Sequence, residues 1–277
     1  MISNRCIIIG SGSSVRQNRW NTPIENLPIW SLLKNELTIG INWVFRWFTP
    51  TIELFGDYKF YHTEYENLKD LPLMITTKDG YYIREDHKPI SPNLIFLKRC
   101  KAKKYLKPGD VEAGNHKYYW GKDSWTQGWY DNQLSGILAL TFAINGLGCK
   151  EIYLLGYDAT EIDGHTHFYD DTDVGTYIYE NQSYCGVGKN KNDFFRTQNY
   201  NSGKKIKELN DFWFKPFEQE LENGIKIYNV STESKLNNFP KISYGTFQNH
   251  LENDPEPILQ EKTRMLIKNY IEEHNCE

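Results

Sequence analysis

The stretch Cys6-Ile-Ile-Ile-Gly-Ser-Gly-Ser-Ser14 joins an apolar run to a turn rich in glycine and serine. An apolar run that stops at a glycine is typical of a parallel strand with both faces covered. Glycines let the backbone approach a ligand closely, and N–H groups and serine hydroxyls can bind phosphate oxygens. The stretch predicts a buried strand and a candidate nucleotide-binding turn at Gly10, Ser11, Gly12 and Ser14; a simple strand-to-loop turn is the alternative.

The turn does not match two common nucleotide motifs. It is not G-x-x-x-x-G-K-[ST], and Val15 stands where G-x-G-x-x-G has its third glycine. A P-loop kinase and a standard dinucleotide dehydrogenase are therefore disfavoured.

Other apolar runs continue the same pattern. The further predicted strands are 37–41, 52–55, 151–158, which ends in Gly-Tyr-Asp, and 224–229, and a helix is predicted over 134–147. A helix that feeds a strand after a glycine-rich turn is half of a βαβ unit. The sequence therefore predicts an α/β, Rossmann-like fold with a mainly parallel sheet flanked by helices.

Three parts of the chain are predicted. Residues 1–158 form a nucleotide-binding core, 159–203 a long lid or acceptor loop without clear periodicity, and 204–277 a C-terminal part that completes the core. Within the last part, 204–221 has helical spacing that Pro216 should kink or end early. The stretch 258–271 predicts an amphipathic helix, whose buried side is expected to include Leu259, Met265, Leu266 and Ile267.

Composition places the chain among folded globular proteins, with 39% hydrophobic and 25% charged residues. A net charge of -4 gives no general attraction to nucleic acid, although a local basic groove would not show in a sum. Five scattered cysteines without a C-x-x-C motif suit reduced thiols. No signal-like segment or run of roughly 18 apolar residues is found. We expect no integral membrane span and a cytoplasmic location.

Small and polar residues follow several predicted strands or begin the helix after them. In open parallel sheets, ligands bind outside the carboxyl ends of the strands, where the strand order reverses. For each such residue, a cap or a turn is the structural alternative. The residues expected to converge on one cleft are Ser11, Asn42, Asp57, Ser135, Gly136 and Asp158.

The segment 163–173 contains two histidines and four aspartates. Asp171 and Asp173 form a D-x-D pattern that could hold Mn²⁺ or Mg²⁺ on a diphosphate, although acidic residues in a solvated loop are common. A histidine here could also deprotonate an acceptor hydroxyl, since an ordinary imidazole pKa near 6.5 suits a base at neutral pH. His167 is the first candidate and His165 the second; either could instead order the loop.

With these motifs, the chain resembles the bacterial sialyltransferases of glycosyltransferase family 42 and the related DUF115-type proteins, which include an archaeal pterin diphosphokinase. The turn Gly10–Ser14 resembles the family's Gly-Asn-Gly-Pro-Ser, and 38–42 resembles its second strand, which ends in Asn. The most similar stretch is Leu147-Gly-Cys-Lys-Glu-Ile-Tyr-Leu-Leu-Gly-Tyr-Asp158. The His-Thr-His-Phe-Tyr-Asp segment after it looks like distant, often phage-encoded members, and for a phage-encoded protein the expected location is the host cytoplasm.

The resemblance implies nucleotide or phosphate contacts for residues that match family positions. These are Ser11, Ser14, Asn42, Ser135 and Asp158, and Asp57 falls near another nucleotide-contacting position. The chain departs from the family at Ser11 and Asn132, where the sialyltransferases have Asn and Arg, and at 200–203, which lacks their catalytic His. These departures argue against sialic acid and CMP.

The favoured expectation is a glycosyltransferase that moves a sugar from a nucleotide-sugar donor to a hydroxyl of a glycan or of a hydroxymethylated base in DNA. His167, His165 and Asp158 are the candidate catalytic residues, and Lys204 and Lys205 could stabilise the departing phosphate. The alternatives are a diphosphokinase of the pterin pyrophosphokinase type and a non-catalytic nucleotide-binding protein. The sequence leaves the oligomeric state open.

Overall fold

The computed structural model describes residues 3–56, 58–77, 89–97, 135–180, 206–207 and 209–274. Within these residues, seven strands form one sheet in the order β5-β4-β3-β2-β1-β6-β7, and every neighbouring pair is parallel. The strands are β1 (Arg5–Ile9), β2 (Thr38–Ile41), β3 (Ile52–Leu54), β4 (Met74–Thr77), β5 (Leu94–Leu97), β6 (Glu151–Leu155) and β7 (Lys226–Asn229). The predicted α/β class with a parallel sheet is confirmed.

The strand order places a reversal at the centre of the sheet. From β1 the chain adds β2 to β5 on one side, then crosses over and adds β6 and β7 on the other. β1 and β6 are paired along their whole length, from Arg5 opposite Glu151 to Ile9 opposite Leu155. Their carboxyl ends are therefore level, and the turns that follow them lie side by side.

Helices cover both faces of the sheet. Among the described residues, the α-helices are Pro28–Leu33, Tyr58–Leu68, Ser135–Thr141, Asp173–Glu180, Glu218–Glu222, Tyr244–Asn253 and Gln260–His274. Alternate residues of β1 face opposite cores: Cys6 and Ile8 pack in one cluster, and Ile7 and Ile9 in the other. This double burial explains why β1 reads as a continuous apolar run. None of the helices described is long and apolar enough to cross a bilayer.

Several helical expectations need correction. The helix expected over 134–147 is α-helical only for Ser135–Thr141 and continues as a π-helical turn at Phe142–Gly146. The stretch 204–221 is broken, with a π-helical turn at Leu209–Trp213 and a 3₁₀ turn around Pro216 before the short α-helix. Proline lacks the N–H that a helix interior requires. The loop expected over 159–203 contains a helix at Asp173–Glu180.

The prediction of the buried side of the C-terminal helix was largely wrong. Leu259, Met265 and Leu266 are 73%, 57% and 44% exposed, whereas Ile267 is fully buried as expected. The buried row is Thr263, Ile267 and Ile271, spaced four residues apart along one side of the helix. Apolar character alone therefore did not identify the side that faces the core.

The C-terminal helix supplies a test of this packing. Ile267→Ala should lower the free energy of unfolding by about 2–5 kcal/mol, because it leaves a cavity in the core. Met265→Ala, on the exposed side of the same helix, should change it by less than about 0.5 kcal/mol. Urea unfolding of both variants measures the difference; equal losses would contradict the observed orientation.

Glu53 is an ionisable side chain inside the core. It is 1% exposed, and neither carboxyl oxygen has a hydrogen-bond partner among the described residues. Gly40, its neighbour in β2, makes room for it, since a Cβ there would lie 2.7 Å from Glu53 Oε2. Burial raises the pKa of Glu53 well above its ordinary value, because desolvation disfavours the charged form.

This shift predicts a pH-dependent effect of Glu53→Gln. The folded protein holds the proton more tightly than the unfolded chain, so Glu53 lowers stability as pH rises above its unfolded pKa, by up to about 1.4 kcal/mol per pH unit. Glu53→Gln should therefore gain stability relative to wild type between about pH 5 and pH 8. Urea unfolding at both pH values is the measurement, with the exposed Glu273→Gln as control. A difference independent of pH would contradict the prediction.

Candidate functional site

A cavity of about 300 Å³ opens at the carboxyl ends of β1 and β6, at the reversal of the strand order. Such crevices are where open α/β sheets bind their ligands. Most of the candidate site residues line this cavity. They are Gly10, Ser11, Gly12, Asn42, Ser135, Gly136, Asp158 and His167.

The other candidates lie elsewhere. Ser14 is not part of the cavity lining, and its backbone N–H donates to Asp158 Oδ2 at 2.8 Å. His165 stacks on Trp20, with ring centroids 3.6 Å apart, and does not line the cavity. Asp57, Lys204 and Lys205 fall outside the described residues.

The turns after β1 and β6 touch through their backbones. Gly12 N donates to Gly156 O at 3.0 Å, and a Cβ at Gly12 would lie 2.6 Å from that oxygen and 2.5 Å from Asp158 Oδ2. A Cβ at Gly10 would lie 2.8 Å from Gly156 O. The contact between the two turns therefore explains why Gly10 and Gly12 have no side chain. The N–H groups of Gly12 and Ser14 are also occupied within the protein, so phosphate binding cannot depend on them in this conformation.

Asp158 connects these turns from inside. It is 2% exposed, and its carboxylate accepts the Ser14 N–H. Burial raises the pKa of Asp158, while the neighbouring Ser14 and Ser231 lower it. The backbone carbonyl before it, that of Tyr157, accepts hydrogen bonds from Asn229 Nδ2 at 3.0 Å and Ser234 Oγ at 2.8 Å. The turn after β6 is therefore held by both β1 and the segment that follows β7.

The carboxyl end of β2 and the start of the helix Ser135–Thr141 also line the cavity. Asn42 follows β2 directly and has a left-handed backbone, with φ of 58°; asparagine tolerates this region better than most residues. Ser135 Oγ accepts a hydrogen bond from Gly56 N at 3.1 Å. Tyr157, which the sequence analysis did not select, donates through its hydroxyl to Gly136 O at 3.0 Å. The sequence signal that could have identified Tyr157 is an aromatic residue directly after the glycine that ends a strand.

The segment that carries the histidines is fastened to the turn after β1. His167 forms an isolated antiparallel bridge with Gly12, and Phe168 N donates to Ser11 O at 3.0 Å. Arg16, which is 1% exposed, donates from Nε to Phe168 O at 2.6 Å. Backbone contacts therefore place His167 beside the candidate nucleotide-binding turn.

His167 has a carboxylate partner that the sequence analysis did not select. Its Nδ1 lies 3.2 Å from Asp170 Oδ1, and the other oxygen, Oδ2, accepts from the backbone N–H of Thr166 and His167 at 2.8 and 3.0 Å. Nε2 makes no hydrogen bond within the described part of the chain. An imidazole oriented in this way can accept a proton at Nε2 from a ligand in the cavity.

The aspartates of the D-x-D pattern have other surroundings. Asp171 Oδ1 accepts a hydrogen bond from Arg16 Nη2, and Asp173 is the first residue of the helix Asp173–Glu180. Among the described residues, no group of three or more His, Cys, Asp or Glu side chains could hold a metal ion. Dependence on Mn²⁺ or Mg²⁺ stays a prediction.

An alanine substitution, which adds one methyl group at Gly12, tests the contact between the two turns. Gly12→Ala should lower the free energy of unfolding by about 1–3 kcal/mol, because its Cβ meets the backbone of Gly156 and the buried Asp158 carboxylate. Gly245→Ala is the control, since a Cβ there has only Ser243 Oγ within 4 Å, at 3.9 Å. Urea unfolding measures both; a neutral Gly12→Ala would contradict the close contact.

Neither the family models nor the curated proteins gave a match to the chain. Among solved structures, the sialyltransferase CstII from Campylobacter jejuni, described in complex with the substrate analogue CMP-3FNeuAc, is similar. The similarity covers 87% of this chain and 86% of that protein, with 18% sequence identity and a TM-score of 0.39. These values do not by themselves establish a shared activity.

Proposed function

We propose that the chain is a glycosyltransferase that moves a sugar from a nucleotide-sugar donor to a hydroxyl acceptor. The observation that carries this proposal is the cavity at the reversal of the strand order. It brings the polar strand-end residues Ser11, Asn42 and Ser135 together with an imidazole, His167, that a carboxylate orients.

The donor fits the wall made by the strand ends. Ser11, Asn42 and Ser135 offer hydroxyl and amide groups that can bind a ribose, a base or phosphate oxygens. The volume of about 300 Å³ is at the lower end of the range for small-molecule sites, roughly 300–1,000 Å³. We therefore infer that the cavity holds the nucleotide part, with the sugar directed toward His167.

His167 would act as the base for transfer. Its Nε2 would take the proton of the acceptor hydroxyl while that oxygen bonds to the anomeric carbon and the bond from this carbon to the phosphate oxygen breaks. The nucleotide leaves with the electron pair of the broken bond. The described lining of the cavity contains no Lys or Arg, so Lys204 and Lys205 stay the proposed source of positive charge for the leaving phosphate.

The acceptor and the metal are parts of the same proposal. A glycan or a hydroxymethylated base in DNA is the expected acceptor, and Mn²⁺ and Mg²⁺ are the ions to be tested. A DNA acceptor predicts duplex binding that weakens steeply with salt. If the protein does not bind duplex DNA at low ionic strength, a glycan is the remaining acceptor.

The test begins with a thermal-shift screen of nucleotide sugars with and without Mn²⁺ or Mg²⁺, because a ligand that binds the native state raises Tm. The donor that raises Tm is then used in transfer assays with candidate acceptors. His167→Gln should keep the shift, since the donor wall is intact, but lose turnover by about 10²–10⁴-fold.

His165→Gln is the comparison for this loss, because it removes the other histidine of the segment. His165 does not line the cavity, so turnover should stay within a few-fold of wild type. Full turnover in His167→Gln with a bound donor would show that His167 is not the base. If no nucleotide sugar shifts Tm, the donor proposal is wrong.

A further inference from the structure

We propose that Asp170 is the positioning residue for His167, and that it fixes the imidazole tautomer with hydrogen on Nδ1 and a lone pair on Nε2. The catalytic consequence rests on the proposed function, in which Nε2 is the base. The tautomer itself can be measured without any substrate.

The two oxygens of Asp170 have separate roles. Oδ2 accepts the backbone N–H groups of Thr166 and His167, at 2.8 and 3.0 Å, and Oδ1 lies 3.2 Å from His167 Nδ1. An ionised carboxylate only accepts hydrogen bonds, so Nδ1 must be the donor in this contact. The neutral ring then carries its lone pair on Nε2.

Thr166 supports the same assignment. Its hydroxyl donates to Asp170 Oδ2 at 3.3 Å and lies 3.1 Å from His167 Nδ1. A hydroxyl has one hydrogen, so with that hydrogen donated to the carboxylate the Thr166 oxygen offers Nδ1 a lone pair. Both neighbours of Nδ1 are therefore acceptors.

The plane of the ring is fixed as well. Tyr169 stacks on His167 with ring centroids 5.1 Å apart and an interplanar angle of 11°. The side chains of His167 and Asp170 are 21% and 7% exposed, so the pair is largely shielded from water that would compete for its hydrogen bond. The arrangement leaves the imidazole little freedom to rotate away from Asp170.

The variant Asp170→Asn is designed to change the tautomer of His167 while it keeps an acceptor for the backbone N–H groups of Thr166 and His167. The backbone N–H groups of Thr166 and His167 still need an acceptor, so the Asn carbonyl oxygen should face them and its NH₂ should face Nδ1. Nδ1 must then accept, and the proton moves to Nε2, which can no longer act as a base. In a Ser-His-Asp triad, the equivalent Asp→Asn change leaves the geometry intact but lowers kcat by about 10⁴-fold.

The first measurement is the tautomer of His167 in ¹⁵N-labelled protein, from long-range ¹H–¹⁵N correlations at a pH where the ring is neutral. The His167 signals are those missing from His167→Gln. We expect the Nδ1–H form in wild type and the Nε2–H form in Asp170→Asn. Asp163→Asn is the matched control, because Asp163 is exposed in the same segment and asparagine accepts its left-handed φ of 52°. It should keep the wild-type tautomer.

The second measurement is turnover with the donor found above. Asp170→Asn should lower kcat by roughly 10²–10⁴-fold and change the donor KM less than about threefold, while Asp163→Asn retains wild-type kcat. The Nε2–H form in wild type would overturn the proposal even if the variant failed to fold. An unchanged tautomer in a folded Asp170→Asn would also overturn it. If wild type transfers no sugar, the proposed function fails, while the tautomers still decide the role of Asp170.

Discussion

The close contact between the turns after β1 and β6 is the constraint on which the site depends. Because the two strands end level and pair along their length, their turns meet at the reversal of the strand order. Only residues without a Cβ fit at Gly10 and Gly12 without displacing the carbonyl of Gly156. The cavity opens where the chain continues from these turns in different directions, so its position follows from the topology of the sheet.

The histidine segment extends this frame. His167 belongs to no helix or strand of its own; its place is set by the bridge to Gly12 and by Phe168 N donating to Ser11 O. Asp170 then orients the ring from within the same turn. The cavity thus combines a wall made by the parallel sheet with an imidazole carried on a loop that backbone contacts fasten to the turn after β1.

The sequence predicted most of the strands whose signal is local, but not β5, which is an apolar run of four residues. β1, β2, β3, β6 and β7 were found, because buried parallel strands read as apolar runs that stop at small or polar residues. β4 was not assigned, since Met74-Ile-Thr-Thr77 is half polar, and its threonines are buried only because neighbouring segments cover them. The exposed side of the C-terminal helix also depends on tertiary packing.

The residues of the site also divide into those with a local sequence signal and those placed by tertiary contacts. Ser11, Asn42 and Ser135 could be selected, because the carboxyl ends of parallel strands share one edge of the sheet. The choice between His165 and His167 depends on which residue bridges to Gly12, and this pairing across more than 150 positions leaves no local pattern. Asp170 could be found only as a carboxylate three residues after a histidine, a spacing that is common in loops.

The buried Arg16 connects the turn after β1 to the segment that carries His167. It donates hydrogen bonds to Phe168 O and Asp171 Oδ1, so the side of the cavity that carries His167 is fixed to the turn after β1 through a main-chain contact and a charged contact. The apolar side of the cavity, formed by Leu209, Phe214 and Leu236, comes from other parts of the chain and belongs to the hydrophobic core. The hydrogen bonds described for Arg16 do not involve these three residues, so the shape of the cavity and the placement of the imidazole depend on different contacts.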